Sequence, residues 1–551
     1  MRRGGVGVGQ EILLLLLGLF LVLTSKVGGS VTSTATTTYK SGLVTQVSTA
    51  ITGATTVPIA YQYDGFMRVK TRTIGGAVPI ASTWDSSTGL LTATGGVGIT
   101  RTGLVGGFQS GQLAGLTASG GRTYTVTYPV EPVTLKGYGE PQKLEAKFGA
   151  TSKYSVTLGR DPIGRITTRQ EVNDTTSKNR FYVYNAAGRL WMVYDGTDAN
   201  GVLLATYTYD SNGNRTDQAY TYDLHDRQTS FGSASYAYTA NGERTTRSTP
   251  AQTLTYDPQG QLVSVDAAGT VIAYEVDGLG RRVKRTKAGV SERYLWDSSR
   301  IAAVLDNAGA VLRRFVYATS GYVPDAILEG SAGTLYLVVK DERGSVRQLI
   351  DPAGLVAEKY EYDEWGKELP GAPAVRKSLF GFAGGVYDPD TGLVRFGARD
   401  YDPALGRWTT KDAIRFTGGW NLYGYCNADP INCVDPSGLD GNEYEWWLSQ
   451  EGTRRGRGSL GASPGSAPSL AGCSRRRRLL RSAAPLARGS LVYSVAAASW
   501  RLARATTPLG AFRAPRPRNL PTRAAARPRV YLSVQTNQRW CRWRRRRRRR
   551  G

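Results

Sequence analysis

One short pattern, aromatic-x-aromatic-Asp-x-x-Gly followed by Arg or Leu, returns through the middle of the chain and confines it to a laterally repeated sheet. Copies stand at Tyr61–Arg68, Tyr182–Arg189, Tyr207–Arg215, Tyr220–Asp223, Tyr236–Gly242, Leu254–Gly260, Tyr274–Arg281 and Tyr360–Lys367. From Tyr184 the second aromatic recurs at Tyr209, Tyr222, Tyr238 and Tyr256, after 25, 13, 16 and 18 residues. Such intervals suit a strand, a turn and a return strand in each copy.

The alternation places both rings on one face of a strand. The following Asp or Asn accepts a hydrogen bond from the backbone two residues on and so starts a turn. Gly three positions later takes the positive φ that closes a hairpin. A single hairpin is marginal in water, so the copies must stack side by side into a long antiparallel sheet. Plentiful Tyr (31) and Gly (67) against few Phe (12) agree with strands and turns. Residues 31–150, rich in Thr, Gly, Val and Ser with alternation at Thr123–Tyr128, read as further strand material.

Net charge is concentrated at one end. Residues 440–551 hold 26 Arg, no Lys and four acids (Asp440, Glu443, Glu445, Glu451), a net +22 of the formal +26, which leaves the body nearly neutral. The body therefore carries no electrostatic sign of a nucleic-acid partner. His225 is the sole histidine, and the four cysteines have no zinc-like spacing, so no metal or cofactor is expected. Cys426 and Cys433 are close enough in sequence to pair. Arg2 and Arg3 precede an apolar run, Ile12–Leu23, with small residues after it to Ser30. These features describe a secretory signal peptide over 1–30, and an uncleaved anchor is the alternative because no Ala-x-Ala site comes after the run. The run is shorter than the roughly 20 apolar residues of a membrane span.

Residues 377–439 run from Lys377-Ser-Leu-Phe-Gly-Phe through Arg395-Phe-Gly-Ala-Arg-Asp-Tyr-Asp-Pro403 to Asp435-Pro-Ser-Gly-Leu439. This block resembles the repeat-associated core of Rhs/YD-repeat proteins, and the repeats over 61–439 resemble the YD repeats of Rhs proteins, insecticidal-toxin C subunits and teneurins. The resemblance implies an all-β fold, an antiparallel sheet coiled into a hollow shell. Fewer copies here imply a small or partial one. The organisation expected is an export segment (1–30), a β-rich segment (31–150), the YD shell (151–376), the core block (377–439) and an Arg-rich variable tail (440–551).

In Rhs proteins the core carries two Asp-Pro-x-Gly motifs whose aspartates act as an aspartyl self-protease. Asp435-Pro-Ser-Gly438 keeps the second, while Asp412-Ala-Ile-Arg415 keeps only the Asp of the first. By this resemblance Asp412 and Asp435 are the catalytic pair, and the cut falls between Leu439 and Asp440. Two adjacent carboxylates do not readily both ionise, so one would act as base toward water and the other as acid. Both are equally well explained as turn residues, and Asp429-Pro430 is read only as a turn.

The tail after Leu439 occupies the place of the family's effector. It has neither His nor Lys, and its Arg/Ala/Pro composition suits a disordered segment. Nonspecific binding of nucleic acid or anionic membrane by its arginines is the functional alternative. The whole chain supports two readings. One is a secreted or surface shell of the polymorphic-toxin type, with an immunity protein as partner. The other is an adhesive or carbohydrate-binding surface protein without toxin activity, or a truncated remnant of either. No enzymatic site beyond self-cleavage is expected.

Overall fold

The computed structural model describes residues 20–27, 30–51, 55–102, 112–128, 140–319 and 321–439. The Arg-rich tail and most of residues 1–30, read above as a signal peptide, lie outside them. Phe20–Val27, inside the segment read as 1–30, is a strand paired with Ser30–Lys40, so the division at residue 30 falls within a hairpin. Among the described residues no helix is long and apolar enough to cross a membrane.

The architecture is all-β. Sixteen strands from Phe20–Val27 to Val202–Thr206 succeed one another in sequence order, and fifteen more run from Tyr220–Tyr222 to Val356–Lys359. Four short strands, Val386–Asp388 to Arg407–Trp408, form a third sheet. Neighbours pair antiparallel, and the open strand order means that the sheets are not closed barrels.

The repeat turns share one backbone build, and where Asp and Arg flank the turn the Asp does more than start it. At Asp223, Oδ1 accepts from the His225 and Arg227 amides at 2.9 and 3.0 Å, while Oδ2 accepts from Arg227 Nε at 2.6 Å. The same Asp–Arg clasp closes the turns at Asp64, Asp161 and Asp277. The fourth position holds positive φ, usually on Gly, as Gly188 (78°) and Gly260 (79°) show, but on Met67 (62°) and Asp226 (59°) in the turns at Asp64 and Asp223.

Copies are then hooked together. The second tyrosine donates its hydroxyl to a backbone carbonyl beyond the preceding turn: Tyr184 to Ile166 at 2.5 Å, Tyr209 to Leu190 at 2.6 Å and Tyr362 to Val346 at 3.1 Å. The Arg of the earlier copy lies over the same ring, Arg165 on Tyr184 at 4.6 Å and Arg189 on Tyr209 at 5.6 Å. Tyr209→Phe is therefore expected to lower stability by about 1 kcal/mol, read as a lower urea midpoint with an unchanged circular dichroism spectrum.

The two long sheets touch face to face. Tyr124 donates to the Lys340 carbonyl at 3.0 Å, and Arg122 donates to that of Leu335 at 2.6 Å. Leu144, Val156, Leu190, Leu337 and Val339 share one buried cluster between them. A charged network crosses the same interface. Glu171 of the first sheet accepts from Arg169 and from Arg347 of the second, each at 2.7 Å, and Arg169 Nε reaches Glu342 at 2.9 Å. The third sheet is fastened to the second by acid–base pairs: Asp388 with Arg285, Asp400 with Arg282, and Asp402 with Arg244.

Candidate functional site

The two Asp-led tetrads of the C-terminal block form matching turns although only one keeps Pro and Gly. The Arg415 amide donates to the Asp412 carbonyl at 3.1 Å, and the Gly438 amide donates to that of Asp435 at 3.3 Å. Arg415 has φ 55° and Gly438 has φ 68°. A non-glycine residue thus holds the left-handed conformation that Gly holds in the intact motif, at a cost of about 1–2 kcal/mol. Arg415→Gly is expected to raise stability by about 1 kcal/mol, measured as a higher denaturant midpoint without change of slope.

Both turns point their carboxylates at one cation that sequence alone does not single out. Arg399, from the strand Arg399–Asp402, places Nη2 2.8 Å from Asp412 Oδ2 and 3.3 Å from Asp435 Oδ2. All three side chains are buried. Arg399 also donates through Nε to the Gly438 carbonyl and lies 4.1 Å over the Trp408 ring. Burial pushes its guanidinium below the ordinary value against the opposing pull of Asp412 and Asp435. The only trace of Arg399 in the sequence is its place in the conspicuous run Phe396-Gly-Ala-Arg-Asp-Tyr-Asp402, which does not say what it meets.

The segment carrying Asp435 is pinned by backbone. The Ala398 amide donates to the Ser437 carbonyl at 2.8 Å, and the Leu439 amide donates to Asp435 Oδ1 at 3.1 Å. Ser437 Oγ gives that same oxygen a further bond at 2.9 Å. Leu439 itself comes to the acids. A methyl group placed on Gly418 would lie 2.8 Å from the Leu439 carbonyl oxygen and 2.9 Å from Asp412 Oδ2, so both oxygens border one point. Asp440, on the far side of the expected cut, lies outside the described residues.

An aromatic wall backs the site. Phe396, Tyr401, Trp408 and Tyr425 pack with ring centroids 4.6–6.1 Å apart. Burial, and then the charge of Asp435, pushes the Tyr425 phenol up. Cys426 and Cys433 form a disulfide across the loop leading to Asp435. Asp429 accepts from the Ile431 and Asn432 amides, which is turn geometry. Two buried carboxylates and a buried guanidinium beside a peptide carbonyl can bind a water and exchange protons with it.

Comparison with known proteins places the chain among relatives. A family model described as the teneurin YD-shell matches residues 23–431. Teneurin-3 of Danio rerio is 28% identical over 336 residues, which are 57% of this chain and 12% of that protein. The tRNA3(Ser)-specific nuclease WapA of Bacillus spizizenii is 28% identical over 274 residues, 46% of this chain and 11% of that one. This chain thus spans about an eighth of the length of those curated relatives. Among solved structures, TcdB2-TccC3-TEV superposes with a TM-score of 0.56 at 17% identity, over 76% of this chain and 24% of that one. TcdB2-TccC3 without its hypervariable C-terminal region gives 0.53 at 16% identity, with the same coverage. These structural likenesses concern the fold.

Proposed function

The chain belongs to the teneurin YD-shell family, and from that premise we propose that it is an Rhs-type shell of the polymorphic-toxin kind, secreted or held at the cell surface, that severs itself after Leu439. The observation that carries this reading is the convergence of Asp412 and Asp435 on Arg399, with the Leu439 carbonyl oxygen and Asp412 Oδ2 both bordering Gly418. One proton shared by the two acids makes the trio with Arg399 neutral, the state that burial favours. Asp412, which shares that border with the carbonyl oxygen, holds that proton. Asp435 takes a proton from the attacking water, whose oxygen bonds to the Leu439 carbonyl carbon. Collapse of the adduct breaks the bond to the Asp440 nitrogen, which leaves as an amine with a proton from the acid pair.

A TcdB2-TccC3 form lacking its hypervariable C-terminal region keeps the shell fold, in keeping with a shell that can part from its C-terminal segment. The test is intact-mass analysis of the purified full-length chain. Two fragments are expected, one ending at Leu439 and one beginning at Asp440. A single mass for the whole chain, or a boundary elsewhere, counts against the reading.

The segment 440–551 is proposed to hold polyanions, nucleic acid or anionic membrane, by charge alone, since 26 Arg there face only four acids. The purified segment is expected to release its nucleic acid as salt rises and to turn over none of it. Hydrolysis of any nucleic acid by that segment would instead show a folded effector. An immunity protein as partner belongs to that same toxin reading.

A further inference from the structure

A cavity of about 410 Å³ opens directly beside the expected cut, with Pro436, Ser437 and Leu439 in its wall. Its apolar surface comes from aromatic rings, chiefly Trp296, Tyr322 and Phe396, and its charge comes from Arg281, Arg282, Arg300 and Arg395. No carboxylate lines it. Arg281 is paired with Asp277 at 2.6 Å, whereas Arg282 and Arg395 share a single acid, Asp400, at 3.1 and 2.8 Å, so that pair keeps one positive charge in excess on the wall. At the mouth, Leu279 and Tyr322 are 60% and 47% exposed. An occupant must therefore be aromatic and acidic, and it must reach a site that already contains Leu439.

The chain supplies such a segment at the right distance. Glu443-Tyr-Glu-Trp-Trp-Leu448 begins four residues after Leu439 and holds two of the four acids of the tail together with three aromatic side chains. At roughly 3.3–3.6 Å per extended residue it spans about 13–30 Å from Leu439, within reach of a cavity that begins there. Tryptophan seated in a dry pocket, with charge pairs at the rim, is the usual composition of a strong peptide anchor.

We propose that Glu443–Leu448 docks in this arginine-walled cavity, so that the shell grips the first residues of its C-terminal segment through aromatic and carboxylate contacts and holds them after the cut. The proposal rests on reading Leu439 as the end of the shell. It does not require the bond after Leu439 to break.

Full-length chain carrying benzoylphenylalanine at Trp446 tests it, in the wild-type and the Asp435→Asn backgrounds. After irradiation, adducts are expected on peptides containing Trp296, Tyr322 or Val386 in both. Glu443→Lys with Glu445→Lys should lower their yield by about fivefold or more at low salt, and Arg281→Glu with Arg300→Glu should restore it. Adducts concentrated on the exposed Phe416–Trp420 pair, or a yield unmoved by charge reversal, would overturn the proposal. Retained adducts in a chain that never cuts would reject the cleavage reading and keep the docking.

Discussion

Asp435→Asn is expected to leave the chain whole where the proposed reaction parts the wild type after Leu439. The substitution removes the base from the proposed reaction, and such groups contribute about 100- to 10,000-fold in rate, so fragments should be absent on the timescale of purification. Asparagine still accepts from Ser437 Oγ and the Leu439 amide through its carbonyl oxygen, and Arg399 keeps Asp412 at 2.8 Å. The asparagine Nδ2 then faces Arg399 Nη2 donor to donor, so the variant should lose some stability yet keep the wild-type circular dichroism spectrum without denaturant, which separates lost chemistry from lost structure. Asp412→Asn is expected to behave likewise. Wild type and both variants giving the same bands on a denaturing gel would remove self-cleavage from this protein.

Glu171→Gln is expected to cost about 3–5 kcal/mol, the loss found when one partner of a buried ion pair is neutralised. Glu171 is 2% exposed and receives Arg169 and Arg347, each at 2.7 Å. Burial alone would push its carboxyl up, yet Arg169 and Arg347 hold it well below the usual carboxylate range. Because the folded value lies below the unfolded one, the contribution is complete above about pH 4.5 and is lost as pH falls through the folded value. The wild type should therefore lose stability on acidification below that point, and Glu171→Gln should lose less. Glu171→Met with Arg347→Met removes both charges and should recover much of the loss. Equal midpoints for Glu171→Gln and wild type at neutral pH would show that the network adds nothing to stability.

How far the sequence could foretell this depends on where each interaction is written. The repeat turns are local, so Tyr-x-Tyr-Asp-x-x-Gly announces strand, turn and Gly conformation before any coordinate. The clasp of Asp223 by Arg227 is also local, but Arg at that position looks like an ordinary strand opener. Arg347 and Glu171 are 176 residues apart and meet only when two sheets close on each other. Arg169-Gln-Glu171 reads as a plain polar strand, and nothing in it marks burial. Asp412 and Asp435 are legible through a motif, whereas Arg399 between them depends on a contact among three separate segments. The damaged first motif is readable only as an Asp in a turn; that Arg415 holds the place of the lost Gly at φ 55° is seen only in the structure.

That three-segment meeting would give the proposed cut a timing. Arg399 stands on a strand whose own sheet is fastened to the repeats through Arg244, Arg282 and Arg285, and the two aspartates arrive on separate loops. A chain released early, or stalled with its last repeats unpaired, has no assembled trio and keeps its peptide bond. On the proposed chemistry, scission then acts as a quality-control checkpoint. Only a molecule that has finished folding lets go of what it carries, and an unfinished one stays covalently tethered to its load.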